Sequence, residues 1–344
     1  MKIGIVTIYE SATNYGSFLQ AYALQTVLER LGHEVYLIQN VPTWQTAKKC
    51  VMRINPKREF FLRMLKTIEF IKDMSAFRLV KKEKLGSMDF DCLIYGSDEI
   101  WNLENPYFRD GLFWGEYADD IPKIAYAISV GALEEKTLDK YKHLTLRLSS
   151  FDNIFVRDDR THDIVSELVQ KSPEYVCDPT LLLPLSHMEK DINLPKDKYL
   201  FVYTYGVDKN IEDKITAFAK KMNLKIVSAC FWHKWADKVI ECSPLKLSKL
   251  IAGAEYVFTS TFHGAIFTLL NHKRCCILPV RDKVRDIVCR LGEEVHLISG
   301  DCDMSEFETV IEQAFDTEDF EARLEYIRHD SMEKLEGALK CLTK

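Results

Sequence analysis

The side chain in this sequence best suited to moving a proton near neutral pH is His263, because imidazole alone changes charge there without a perturbed environment. It stands in Thr259-Ser260-Thr261-Phe262-His263-Gly264-Ala265-Ile266. The apolar run before this segment reads as a strand, and 265–270 reads as a helix. Hydroxyls at such a junction, Ser260 and Thr261 among them, cap the helix, and Gly264 lets a ligand approach its N-terminus. Most lone histidines are structural. One flanked by Ser, Thr and Gly where strand becomes helix reads as a ligand contact.

Four further segments follow predicted strands. In Gly96-Ser97-Asp98-Glu99-Ile100-Trp101-Asn102 the glycine permits a sharp turn and a close approach to ligand. Asp98 is then placed to accept a proton or to hydrogen-bond a sugar hydroxyl, and Trp101 to stack on a sugar face; the alternative is that Asp98 caps a short helix. Arg157, where a strand becomes a loop, has the guanidinium fork that grips a carboxylate or phosphate, or else pairs with the adjacent Asp158 and Asp159. Arg281, Lys283 and Arg285 either line a cleft mouth for an anion or form a solvated helix face. Asn14-Tyr15-Gly16-Ser17 opens a helix whose free N–H groups suit an anion, with Asn14 or Thr13 as a plain helix cap in the competing reading.

Positioning these residues requires α/β architecture. Strand 2–8, helix 18–31 and strand 34–38 make a βαβ unit, which predicts a parallel sheet with a right-handed crossover. Strands at 90–95, 123–129 and 153–156 continue it, with helices over 134–149 and from 160. A second set, 199–205, 225–229, 254–259 and 274–280, follows a polar break near 185–197. We expect a first lobe over 1–188 and a second over 189–344, both Rossmann-like, with the last helix, 317–341, packing back on the first. Ligands of such sheets sit beyond the carboxyl ends of the strands. A chain of 344 residues also exceeds what one core usually serves.

Composition narrows the function. The chain is 47% hydrophobic and 28% charged, as globular proteins are, and its net charge of −6 argues against nucleic-acid binding. Its ten cysteines show no metal-ligand spacing, so no metal is expected and reduced thiols are. Neither a secretory signal nor a spanning segment is visible, which predicts a cytoplasmic protein. Residues 48–84 hold twelve Lys and Arg against four Asp and Glu. This basic helical insertion either packs its Phe and Leu on its own lobe or rests on an anionic membrane.

Taken in order, Asn14-Tyr15-Gly16-Ser17 with Leu19-Gln20-Ala21-Tyr22-Ala23-Leu24-Gln25, Gly96-Ser97-Asp98 with Trp101-Asn102, Val156-Arg157, Asp178-Pro179-Thr180 and Ser260-Thr261-Phe262-His263-Gly264 resemble the polysaccharide pyruvyl transferase family. The resemblance implies two Rossmann-like lobes in a GT-B-like arrangement. It implies phosphoenolpyruvate as co-substrate, no other cofactor, and a saccharide or lipid-linked oligosaccharide diol as acceptor, giving a pyruvate ketal in cell-surface polysaccharide. The family's donor-binding arginine falls on Arg157 and the histidine of its arginine-leucine-histidine triplet on His263. The chain departs at the triplet's arginine, where it has Thr261, so that either Arg281 or Arg285 would supply the charge or the donor would differ. A nucleotide-sugar glycosyltransferase on the same plan, and a non-catalytic saccharide-binding relative, are the competing readings.

Overall fold

The computed structural model describes residues 1–10, 14–41 and 60–342. Thr13 and residues 48–59 of the basic segment therefore lie outside the described residues. The first sheet contains β1 (Lys2–Val6), β2 (Glu34–Gln39), β3 (Leu79–Lys81), β4 (Cys92–Tyr95), β5 (Lys123–Ile128), β6 (Asn153–Val156) and β7 (Glu174–Tyr175). Their spatial order is β3-β2-β1-β4-β5-β6-β7, every pairing parallel. The second sheet holds β8 (Tyr199–Tyr203), β9 (Lys225–Ala229), β10 (Lys238–Ile240), β11 (Tyr256–Thr259) and β12 (Cys275–Ile277). Its order, β10-β9-β8-β11-β12, is also all parallel. The α/β class expected from the sequence is thus the observed one.

Seven helices matter for the site: α1 (Tyr15–Arg30), α2 (Phe60–Met74), α3 (Asp159–Val169), α4 (Lys209–Lys221), α5 (Phe262–Leu270), α6 (Asp282–Arg290) and α7 (Thr317–Cys341). Their starts follow capping chemistry. Asp158 Oδ1 accepts from Thr161 N at 2.8 Å to begin α3, and Asp208 Oδ1 from Ile211 N at 2.9 Å to begin α4. The helix read over 134–149 is broken instead into the short pieces Glu135–Lys140 and Lys142–Thr145 and a 3-10 turn, Leu146–Ser150.

One apolar cluster crosses both lobes. It joins Ile3, Ile5 and Phe18 of the first to Phe201, Val257 and Ala265 of the second. Helix α1 is its centre and is buried on nearly all sides, with Glu29 and Arg30 exposed at its C-terminal end. The outer face of each sheet has its own smaller cluster. Helix α7 lies back across the first lobe, where Ser331 Oγ accepts from Cys177 N at 2.9 Å and Arg328 donates to Leu181 O at 2.6 Å.

The basic segment divides in two. Residues 79–81 are no insertion but edge strand β3. Helix α2 carries Phe70 and Met74 into the shared core. Its charged side chains reach the second lobe and the linker: Lys66 to Glu241 at 3.1 Å, Glu69 to Lys246 at 2.6 Å and Asp73 to Lys190 at 2.6 Å. Lys66, Glu69 and Asp73 are thereby paired within the protein, whereas Lys72 stays exposed. Among the described residues no helix is long and apolar enough to cross a membrane.

Candidate active site

In each sheet the strand order reverses at one place, between β1 and β4 in the first and between β8 and β11 in the second. The crevice beyond such a switch point is where α/β sheets bind ligands. Here the two switch points face one another across a cavity of about 230 Å³. Ile8 and Asp98 come to it from the first lobe; Tyr205, Ser260 and His263 come from the second.

Asp98 follows β4 with φ +80°, a conformation a non-glycine side chain rarely adopts, and pairs in parallel with Ile128. It caps no helix. Its Oδ1 accepts from Arg157 at 3.0 Å and from Glu99 N at 2.9 Å. The other terminal nitrogen of Arg157 donates to Asp178 Oδ2 at 2.7 Å. Arg157 is only 5% exposed and its guanidinium lies 4.7 Å from the Phe262 ring centroid. Its partners are therefore distant carboxylates, not the neighbouring Asp158, which caps α3. Burial alone would raise the pKa of Asp98, but Arg157, then Lys283 and His263, hold it below the usual carboxylate value. Asp178 is likewise held well below that range against its burial, by His263 and Arg157.

His263 sits in the first turn of α5, which starts earlier than the sequence suggested because Thr261 is its cap and accepts from Gly264 N at 3.1 Å. The position where the family pattern has arginine is thus spent on capping. The imidazole is 8% exposed and lines the cavity, with Nε2 3.7 Å from Asp178 Oδ1 and without a hydrogen-bond partner. That distance suits an ion pair once the ring is protonated. Gly16 makes room for it: a Cβ there would stand 2.0 Å from His263 Nδ1.

Several residues read as ligand contacts serve the scaffold instead. Trp101 is fully buried, donates to Phe113 O at 2.9 Å and stacks on Trp114, so it presents no face to a sugar. Ser97 is buried, its N and Oγ each 3.0 Å from Gln20 Oε1, which ties β4 to α1. Tyr15 is buried between the lobes, its hydroxyl on Cys242 O and its ring 5.1 Å from Lys66 Nζ. Gly264 is a packing glycine, since a Cβ would meet Thr259 Oγ1 at 2.2 Å. Asn14 and Ser260 do line the cavity, Ser260 held by Thr204 Oγ1 at 2.5 Å.

Of the three cations after β12, Arg281 and Lys283 line the cavity. Lys283 Nζ is 2.5 Å and Arg281 3.4 Å from Glu99 Oε1, which spans the cleft mouth from the first lobe. Arg285 is exposed and is not part of the lining. Asp178 and Glu99 were not singled out from sequence as site residues. The signal for Asp178 was its Asp-Pro-Thr segment, which here caps the short helix Pro179–Leu182 through Thr180 N at 3.0 Å. Among the described residues, no group of three or more His, Cys, Asp and Glu side chains could hold a metal ion.

Comparison with solved structures shows a GT-B-like fold. UDP-GlcNAc 2-epimerase from Methanocaldococcus jannaschii matches with a TM-score of 0.57 at 11% identity over 92% of this chain and 93% of that one. The same enzyme from Neisseria meningitidis, bound to UDP-GlcNAc, gives 0.55 at 13% over 99% and 100%. The spinosyn forosaminyltransferase SpnP gives 0.51 at 12% over the whole of both chains. At these identities the likeness is one of fold alone. No curated protein matches by sequence. The family model for polysaccharide pyruvyl transferase, however, matches residues 14–282, well over half of the chain and all the cavity-lining elements from α1 to the start of α6. The chain therefore belongs to the polysaccharide pyruvyl transferase family and is a transferase.

Proposed function

We propose that the protein transfers the pyruvyl group of phosphoenolpyruvate to a saccharide diol, releasing phosphate and forming a cyclic pyruvate ketal. The observation carrying this reading is His263: a buried imidazole on the cavity wall, its Nε2 unpartnered, with Asp178 3.7 Å away. Asp178 stabilises the imidazolium and orients the ring, so His263 is the acid that protonates the donor's methylene carbon. Protonation leaves an oxocarbenium-like centre at the adjacent carbon. One acceptor hydroxyl adds there, the carbon–oxygen bond to phosphate breaks, and the second hydroxyl closes the ketal. The two protons lost by the diol balance the one gained by the new methyl group and the one carried off on phosphate.

The donor's anionic groups fall to Lys283 and Arg281. Both stand at the cleft with one shared carboxylate, Glu99, whereas Arg157 already has two. Arg157 is then the residue that fixes Asp98 and Asp178, with its field reaching the donor by preorganised electrostatics. Asp98, held ionised beside the cavity, accepts a hydrogen bond from an acceptor hydroxyl and takes up its proton as the bond to carbon forms.

The test is phosphate release from phosphoenolpyruvate, with and without pyranoside diols, beside a thermal-shift comparison of phosphoenolpyruvate with UDP and GDP. Acceptor-dependent phosphate release and a shift with phosphoenolpyruvate are expected. A shift with UDP or GDP alone, and no phosphate release, would favour nucleotide-sugar transfer. Binding of diols with no turnover would indicate a saccharide-binding protein.

A further inference from the structure

Trp101 is buried, yet the cleft does hold an aromatic ring open to water. Tyr205, two residues past β8, lines the cavity and is 65% exposed. Its ring centroid is 4.6 Å from that of Phe231, which lies 5.1 Å from the buried Tyr203. This aromatic ladder braces Tyr205 from behind and leaves the rest of its surface to the cavity. Val280, equally exposed, adds apolar lining. An aromatic surface left in water next to a cavity gains by being covered, and a pyranose offers a matching face of C–H groups with hydroxyls at its rim. Groups that can meet those hydroxyls line the same cavity as the Tyr205 ring: Asp98 and Glu99 from the first lobe and Arg281 from the second. The carboxylate oxygens of Asp98 and Glu99 can accept from the hydroxyls of a polyol.

We infer that Tyr205 is the platform on which the acceptor sugar stacks, and so the residue that sets acceptor recognition; this rests on the pyruvyl transfer proposed above. The sugar lies flat on the phenol ring with its diol turned towards Asp98.

Saturation-transfer NMR with a panel of methyl hexopyranosides and with uridine monophosphate tests it, using wild type, Tyr205→Ala, Tyr205→Phe and Tyr205→Trp. Wild type should transfer saturation to pyranose ring C–H protons. Tyr205→Ala should weaken pyranoside affinity about tenfold, while Tyr205→Phe and Tyr205→Trp retain it. In the transfer assay the acceptor KM should rise in Tyr205→Ala with the phosphoenolpyruvate KM unchanged. Undiminished pyranoside binding in Tyr205→Ala overturns the platform, as does an equal loss in Tyr205→Phe, which would assign the effect to the hydroxyl. Saturation reaching only the uracil ring in wild type overturns it as well. Wild type that releases phosphate with an acceptor, but whose acceptor KM ignores Tyr205→Ala, refutes the platform and leaves pyruvyl transfer standing. Wild type that releases none refutes both.

Discussion

On the first-lobe wall of the cleft, Arg157 is buried and gives one terminal nitrogen to Asp98 and the other to Asp178. On the second-lobe wall, Arg281 and Lys283 share the single carboxylate of Glu99, which reaches them from across the cleft. The first arrangement is closed on itself except where Asp98 meets the cavity; the second offers a single carboxylate, which an anionic ligand would have to displace. A buried, mutually paired network holds geometry, whereas a partly exposed cation pair exchanges partners. Assigning ligand capture to the second wall and alignment to the first follows from that contrast.

Breaking the closed wall should have the largest effect on the fold. Arg157→Ala takes the shared guanidinium from two buried carboxylates and should cost about 3–5 kcal/mol of stability, read by urea denaturation. Arg157→Lys should recover little of it, since one ammonium cannot replace the two-pronged contact. Lys283→Ala should leave stability nearly unchanged and raise the phosphoenolpyruvate KM about tenfold, by loss of one charge-assisted contact. Equal stability losses in the two variants would erase the distinction between the walls.

Acid should weaken both walls, since Glu99 too is held below its usual carboxylate value against its burial, chiefly by Lys283. Asp98 and Asp178 have folded pKa values below their unfolded ones. Their stabilisation is therefore complete above the ordinary Asp value near 3.9 and is lost as pH falls below it towards the folded values. Denaturation midpoints should drop steeply below about pH 4, and less steeply in Asp178→Asn. The smallest effect belongs to Arg285→Ala, whose kinetics should match wild type. A raised phosphoenolpyruvate KM there would return this residue to the cleft.

Much of this scaffold is readable from periodicity. The βαβ start and helix α7 are long enough, and patterned enough, to identify. Strands β3, β7 and β10 have only two or three residues, with Lys or Glu in each, too few for alternation to register. The candidate site divides the same way. His263 and Arg157 were visible because local chemistry and position mark them. The burial of Trp101 and the packing of Gly16 on His263 depend on contacts between elements far apart in sequence. Arg285 was grouped with Arg281 and Lys283 by spacing, but along α6 two residues turn it about 200° from Lys283. Nothing local shows that Asp178 stands beside His263, 85 positions away.

The central claim, that His263 delivers a proton to the donor's methylene carbon, is tested most directly by single-turnover transfer in D2O with wild type and His263→Ala. Wild type should place one deuterium in the ketal methyl group as phosphate is released, and His263→Ala should slow both by about 10²–10⁴-fold. Phosphate release at the wild-type rate from His263→Ala would contradict the account.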